Sequence, residues 1–397
     1  MHLLYQSPIY TIGLFFCLKN QSALQFPRFL FFKQKGKLLE YRYYITTEIA
    51  ILVLQCLVFN FSRTVGWLFN LSTKSRKIVT FISYLAANGL AILTVTRTFN
   101  GFRITALMLA LLLFALFVSL ACVVIYRLFK GKQAVNFALK ITYPFAFFGI
   151  VGLALYNAYT PKVVHYSVQL DKPLAQPLRI GVASDLHLGQ WFGAKQLDKL
   201  AEIFNQQNVE LILLPGDIMD DNTDAYVAEN MQPHLAKLKA PLGVYATLGN
   251  HDFFGKQQAI AAEIQKAGIQ VLWDQAVEIN GKFTIIGRND DLVKNRPSAA
   301  QLLTAVNSNL PVFLLDHRPT QIEQHSQLPI DLQVSGHTHK GQIFPANLMT
   351  NVIYRLHYGY EKIGLGHYFV TSGYGFWGIP MRLGTQSEVF IIDVKGK

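Results

Sequence analysis

Cysteine is scarce in this 397-residue chain: Cys17, Cys56 and Cys122 are the only three, all in apolar stretches of the first third. Three residues cannot build a disulfide framework. None lies beyond position 122, which excludes a thiolate metal site or a cysteine nucleophile from the rest. Charge is scarce too, at 15% of residues against roughly 25% in an average soluble protein. With 51% hydrophobic residues and a mean hydropathy of +0.25, the composition excludes a disordered or linker-like protein and disfavours a purely soluble one. Acidic residues are almost missing from positions 1–161, where Glu40 and Glu48 face 16 Lys and Arg, a net of +14. Residues 162–397 hold 20 Lys and Arg and 22 Asp and Glu, a net of −2. The formal +12 therefore belongs to the apolar third. No basic stripe marks the polar part, so nucleic acid is not an expected partner.

What the first third does contain is long apolar runs. Four of them, at 44–61, 78–96, 104–126 and 141–160, are near the ~20 residues needed to cross a hydrocarbon core. The third, ITALMLALLLFALFVSLACVVIY, carries no charge, whereas Glu48 sits near the start of the first. Gly89, Pro144, Gly149 and Gly152 are compatible with spans, because neighbouring helices can re-satisfy the backbone. A four-helix transmembrane domain over 44–160 is expected, making this a multi-pass protein of a cell membrane. In the preceding segment 1–43, residues 8–18 are too short to span and have neither a preceding cation nor a cleavage site, so no signal peptide is expected. Residues 26–37 (FPRFLFFKQKGK) mix aromatics with cations and suit a membrane surface. Loops 62–77 (Arg63, Lys74, Arg76, Lys77) and 127–140 (Arg127, Lys130, Lys132, Lys140) outweigh loop 97–103 (Arg97, Arg103). By the positive-inside rule this places the C-terminal domain on the non-cytoplasmic side, against the opposing pull of five cations at 28–42.

A linker at 161–177 containing Pro161, Pro173 and Pro177 then leads into a different texture. Short apolar runs at 178–184, 209–214, 244–248, 283–286, 311–315, 332–334, 368–371 and 389–394 read as strands. Helical patterns at 194–207, with Leu197, Leu200, Ile203 and Phe204 on one face, and at 256–267 separate some of them. An α/β domain over 178–397 is expected, large enough for its own core.

Polar groups collect where these runs end. The first closes in Asp185-x-His187, the second in Gly216-Asp217, and the third in Gly249-Asn250-His251-Asp252. Later ones close in Asp316-His317 and Gly336-His337-Thr338-His339. A spacing of two on an extended backbone sends both side chains to one face, so each Asp-x-His or His-x-His pair can address one ion or two adjacent ions. Carboxylate, imidazole and amide donors without sulfur suit Mn, Fe or Zn. Singly, each motif is weak; five in order, each closing a strand-like run, are not.

In that order the motifs resemble the signature of the calcineurin-like metallophosphoesterases. The wording SDLHLG, GDIMD, GNHD, LLDHRP and SGHTHKGQ, with the closing GYGFWGIPMRLG, is most similar to the bacterial YkuE/YaeI-type branch. The four spans add a likeness to transmembrane proteins with such a domain. The resemblance implies an αββα sandwich, two mixed β-sheets flanked by helices, and a site holding two divalent metal ions. Asp185, His187 and His339 are implied as ligands of one ion, Asn250, His317 and His337 of the other, and Asp217 as the bridge. His251 is implied as the residue facing the substrate phosphate, oriented by Asp252. His317 is preferred to His234, His325 and His367 because it follows an apolar run directly. The implied activity is hydrolysis of a phosphomonoester or phosphodiester by metal-activated water.

Aromatic residues crowd the motifs, notably Trp191 and Trp377, and tethering to spans makes a lipid-linked phosphoester a natural substrate. Arg382, with Lys340 second, is a candidate for pairing with a further phosphate. Two other classes compete. One is a membrane sensor or transporter with a phosphoesterase output, which the near-absence of ionisable residues inside the spans argues against. The other is a non-catalytic scaffold of the same fold, which the complete ligand set argues against.

Overall fold

The structure, a computed structural model, describes residues 34–98 and 101–397. The expectations for residues 1–33 lie outside the described residues. The chain divides into two compact units, Met1–Gly152 and Leu153–Lys397.

Four helices dominate the first part: α1 (Gln34–Leu68), α2 (Thr73–Val95), α3 (Phe102–Leu128) and α4 (Gln133–Tyr159). Each contains a segment long and apolar enough to cross a membrane, starting at Glu48 in α1. Three of them run well past the expected apolar runs; α4, for example, begins at Gln133 and takes in Lys140. Lys and Arg are good helix formers, so the helix continues after the apolar stretch stops. Within the first unit, small residues Ala106, Ala110, Ala115 and Ser119 are buried on α3. Polar pairs join the helices, with Gln55 Nε2 donating to Asn88 Oδ1 at 2.9 Å and Trp67 Nε1 to Asn136 Oδ1 at 2.8 Å. Small residues and interhelical hydrogen bonds are what associate helices where water gives no hydrophobic drive.

The second unit is built on two six-stranded sheets. One is ordered β1-β12-β2-β3-β4-β5, from β1 (Lys162–Gln169), β12 (Glu388–Lys395), β2 (Leu178–Val182), β3 (Leu211–Pro215), β4 (Val244–Thr247) and β5 (Gln270–Val271). The other is ordered β10-β11-β9-β8-β7-β6, from β10 (Gly359–Ile363), β11 (Gly366–Val370), β9 (Leu332–Ser335), β8 (Val312–Asp316), β7 (Phe283–Arg288) and β6 (Gln275–Ile279). Both are mixed: β2 to β5 are parallel with β12 antiparallel to β2, and β7, β8, β9 and β11 are parallel with antiparallel β6 and β10 at the edges. All eight strands read from the sequence form, each end within two residues.

The stretch at 161–177 is not simply a linker. Residues Lys162–Gln169 form β1, parallel to β12 from Lys162↔Glu388 to Gln169↔Lys395. Its prolines at 161, 173 and 177 all fall outside the strand, where a missing N–H does no harm. Tyr166 packs edge-on to Phe369 and Phe390, 5.2 and 5.0 Å between ring centres.

Strand side chains alternate between two faces. Ile180, Val182, Leu211, Leu213, Phe390 and Ile392 meet Phe283, Ile285, Phe313, Leu315 and Val334 between the sheets. On the outer face of the first sheet, Ile212, Leu214 and Ile391 meet Leu200 and Phe204 of α5 (Ala194–Gln206) and Ile260 and Ile264 of α6 (Gln257–Lys266). On the second, Ile286 and Leu314 meet Ala299 of α7 (Ala299–Leu303). The layers are therefore helix, sheet, sheet, helix, the αββα arrangement. Because β2, β3 and β4 run parallel, as do β8 and β9, the loops that follow each set leave their sheet at one edge, where ligands of α/β sheets bind.

Candidate metal centre

The loops after β2, β3, β4, β8 and β9 carry all five motifs. Asp185, His187 and His339 form one group of ligand atoms within 4.8 Å of one another, and Asp217, His317 and His337 form another. Asp217 stands between them, its Oδ2 3.1 Å from His317 Nε2 and 3.7 Å from His187 Nε2. His187 Nε2 lies 3.1 Å from His339 Nε2, which is 3.4 Å from Asp185 Oδ1. The His337 and His339 side chains thus go to different groups, whereas Asp185 and His187 share one.

The backbone that does this is not extended. Asp185, His187, Asp217, His337 and His339 all have positive φ, between 44° and 69°. Asp and His are among the side chains that enter this left-handed region more readily, and such strain gathers at functional sites. The same-face argument for a spacing of two therefore gives way to a left-handed turn that aims each ligand separately. Glycines provide the clearance. A Cβ on Gly249 would collide with the Asp217 carboxylate, and one on Gly336 with Ser184 and Asp185.

Hydrogen bonds hold the donors in place. His317 Nδ1 donates to the Pro215 carbonyl at 2.8 Å, which turns Nε2 toward Asp217. The backbone N–H of His251 donates to Asp217 Oδ1 at 2.8 Å, and that of His337 to Asp185 Oδ1 at 3.0 Å. Burial alone would push the Asp217 carboxyl up, but His317, His251 and His187 outweigh it and hold the group well below its ordinary range. Burial works the other way on His317 and lowers it, yet Asp217 and Asp185 raise it to about 10, so a cation held there would displace its Nε2 proton. For His337 and His339 burial dominates, and both are pushed well below the ordinary value, keeping neutral imidazoles that can ligate.

This donor set fits divalent cations. His187 Nδ1, Asn250 Oδ1 and His317 Nε2 are buried polar atoms without a hydrogen-bond partner. Such atoms are destabilising unless something binds them. Oxygen and imidazole donors without sulfur are those of harder or borderline ions.

Other expected residues are placed differently. His251 is at the site, its ring 4.8 Å from that of His187, but Asp252 does not orient it. Asp252 is fully buried and accepts the backbone N–H groups of Ile218 (3.1 Å), Met219 (3.0 Å) and Gly249 (2.9 Å). It ties the two loops carrying Asp217 and Asn250 to each other. The partner of His251 is Asp221, whose Oδ1 is 2.5 Å from His251 Nδ1. Burial lowers His251, but Asp217 and Asp221 raise it to about 9. Asp220 also reaches the site, grouped with His187 and His251. The only sequence signal for Asp220 and Asp221 was their place directly after GDIM.

Arg382 is not at an open phosphate position. It is wholly buried, and its Nη2 donates to the carbonyls of Ser372 (2.7 Å) and Gly375 (2.6 Å) while lying 3.2 Å from His339 Nδ1. Those carbonyls anchor the guanidinium, and its Nη2 packs close against His339 Nδ1, which limits how that ring can turn. Trp377 lies beside His251 with ring centres 6.0 Å apart, as does Phe254 at 5.2 Å. Trp191 is 41% exposed, and its carbonyl accepts from Tyr159 Oη at 3.0 Å. The competing histidines are engaged elsewhere, His325 with Gln333, His234 with Asp198 and His367 with Tyr360.

Residues 178–341 match the family model described as calcineurin-like phosphoesterase. An uncharacterized metallophosphoesterase of Helicobacter pylori strain J99 is 32% identical over 270 residues, 66% of this chain and 71% of that protein. The uncharacterized metallophosphoesterase YkuE of Bacillus subtilis is 30% identical over 221 residues, 53% of this chain and 77% of its own length. A Danio rerio protein named transmembrane protein with metallophosphoesterase domain is 28% identical over 276 residues, 65% of this chain and 62% of that one. A metal-dependent phosphoric ester hydrolase is the class that this fold and site define. The chain belongs to the calcineurin-like metallophosphoesterases.

Proposed function

We propose that the protein is a membrane-anchored phosphoesterase that holds two divalent cations, Mn, Fe or Zn, and hydrolyses a phosphomonoester or phosphodiester, lipid-linked in its physiological form. The observation that carries this reading is that Asp217, grouped with His317 and His337, also comes within 3.7 Å of His187 in the other group of ligand atoms. Asp185, His187 and His339 would hold one cation, Asn250, His317 and His337 the other, and Asp217 both. When bound, the cations supply positive charge for the phosphoryl oxygens and a water of lowered pKa.

The chain's own residues do the rest. Asp217 and the neutral imidazoles of His337 and His339 contribute to the charge of the pocket, and Arg382 packs against the His339 ring. With Nδ1–H held by Asp221, His251 directs its second nitrogen away from that carboxylate, ready to donate a proton to the leaving oxygen or to meet charge on the phosphoryl group. Trp377 and Phe254 flank His251 with apolar surface, which suits a leaving group with hydrocarbon character. Four helices apolar enough to span, and a relative named as a transmembrane protein, support the anchoring. The cation count of loops 62–77 and 127–140 supports a non-cytoplasmic catalytic unit in a bacterial cell membrane.

The test is turnover by the detergent-solubilised full chain, with Mn²⁺ supplied, on an aryl phosphate, a bis-aryl phosphate and a phosphatidate. Hydrolysis of at least one is expected. Inactivity on all three with metal bound would sink the proposal.

A further inference from the structure

Two solvent-facing helices of the C-terminal unit, α5 and α6, carry charge on their outer faces. Helix α5 has Lys195, Asp198, Lys199 and Glu202, and α6 has Glu263 and Lys266. Helix α8 (Ala346–Ile353), with sequence ANLMTNVI, has no charged residue and no buried one. Its Leu348 and Val352, four residues apart, are 57% and 85% exposed, and Phe344, just ahead of the helix, is 40% exposed. Residues at four-residue spacing share one helix face. The result is an apolar stripe on the surface where a soluble helix would place charge.

The stripe is tied to residues that continue a membrane segment. The C-terminal unit begins at Leu153 and so includes the last turns of α4, whose candidate span runs to Tyr159. There Leu153 and Tyr156 are exposed at 49% and 58%. Arg382 N–H donates to the Ala154 carbonyl at 2.9 Å, and Asn157 Nδ2 to the Arg382 carbonyl at 3.2 Å. The next residue, Leu383, bridges to Ile343, donating to the Gln342 carbonyl at 3.0 Å and accepting from Phe344 N–H at 2.8 Å. The Gln342 side chain in turn grips Trp377 through both its N–H and its carbonyl, each at 2.9 Å. One hydrogen-bond network of backbone and amide side chains thus joins the end of a span, the start of the apolar helix and the aromatic rim beside His251.

We propose that α8 lies in the lipid–water interface, with Leu348 and Val352 among the acyl chains, and that it seats the rim of the metal centre at the membrane surface. A helix with Leu348 and Val352 on one face and the polar Asn347, Thr350 and Asn351 beside them, held next to the end of a span, has the two-faced character of an interfacial segment. The occupant of the stripe is the bilayer itself, and the substrate class that follows is an amphiphilic phosphoester entering from the lipid phase past Trp377. This rests on the reading of the chain as a membrane-anchored phosphoesterase.

The experiment uses the full chain, with Cys17, Cys56 and Cys122 replaced by Ser, reconstituted in vesicles of phosphatidylcholine and phosphatidylglycerol. An environment-sensitive fluorophore is attached in separate samples through Leu348→Cys, Val352→Cys and, as control, Lys237→Cys. Lipids brominated on the acyl chain are expected to quench the labels at 348 and 352 by about twofold, and iodide to quench only the label at 237. Iodide quenching at 348 and 352 equal to that at 237 would overturn the proposal. So would iodide protection without quenching by brominated lipid, the pattern of a contact with a second copy. In Leu348→Asp/Val352→Asp, turnover of a soluble aryl phosphate should be unchanged while turnover of vesicle-borne phosphatidate falls about tenfold. An equal fall on both substrates would overturn the substrate-delivery role. Labels quenched by lipid in a chain that hydrolyses nothing would support the interfacial helix and overturn the phosphoesterase reading, so the two fail separately.

Discussion

His251 Nδ1 lies 2.5 Å from the carboxylate of Asp221, which stands four residues past Asp217 on the loop after β3. The imidazole and the carboxylate that braces it therefore come from different loops. Asp221→Ala should lower turnover about 10- to 100-fold, the usual loss when a residue behind a working histidine is removed. Metal content should be unchanged, and KM should move less than kcat. A parallel loss of bound metal, measured by mass spectrometry, would show that Asp221 supports the ligands instead.

Asp252 predicts a different phenotype. Replacing it with Ala leaves three buried backbone N–H groups without an acceptor. At about 1–3 kcal/mol for each orphaned group, the C-terminal unit should unfold at a clearly lower temperature and lose metal together with activity. A melting temperature equal to that of the unmodified chain would contradict the bracing role.

The position of Asp217 between both ligand groups predicts that Asp217→Asn abolishes turnover and weakens binding of both ions. His251→Ala, by contrast, should slow turnover by about 100-fold and retain the metal. Equal metal loss in the two variants would show that this division of roles is wrong.

Close approach at Gly336 can be tested without touching a ligand. Gly336→Ala places a methyl group against Ser184 and Asp185, so it should weaken metal binding while Gly149→Ala, in open space on α4, does not. Chelation offers a complementary measurement. Removing the metal from the full chain should lower its melting temperature, and adding Mn²⁺ should restore it, since a ligand at about 100 times its Kd adds roughly 2.7 kcal/mol. A melting temperature indifferent to chelator would mean that no cation is bound by these residues.

Much of this protein was legible along the chain. The four apolar runs are long enough that burial of their backbone in lipid leaves helix as the available form. Alternating or continuous apolar runs marked eight strands, because a two-residue period suits only an extended chain beside a core. The order of Asp185, His187, Asp217, Asn250, His251, His317, His337 and His339 carried the family likeness. Strand β1 was harder to read, since its burial is partial and its hydrogen bonds go to β12, more than 200 residues away.

Sequence by itself therefore determined the inventory: which segments are helix or strand, and which donor atoms are available. Tertiary structure decided the assignments within it. Which carboxylate meets His251 depends on which loop folds over it, and the adjacent Asp252 is the expected one until the loops are placed and Asp221 takes the position. Arg382 reads as a partner for a further phosphate until the fold buries it with its Nη2 on backbone carbonyls. Where the ligands point depends on left-handed backbone at five of them, a local conformation maintained only because packing and hydrogen bonds from distant strands hold it there.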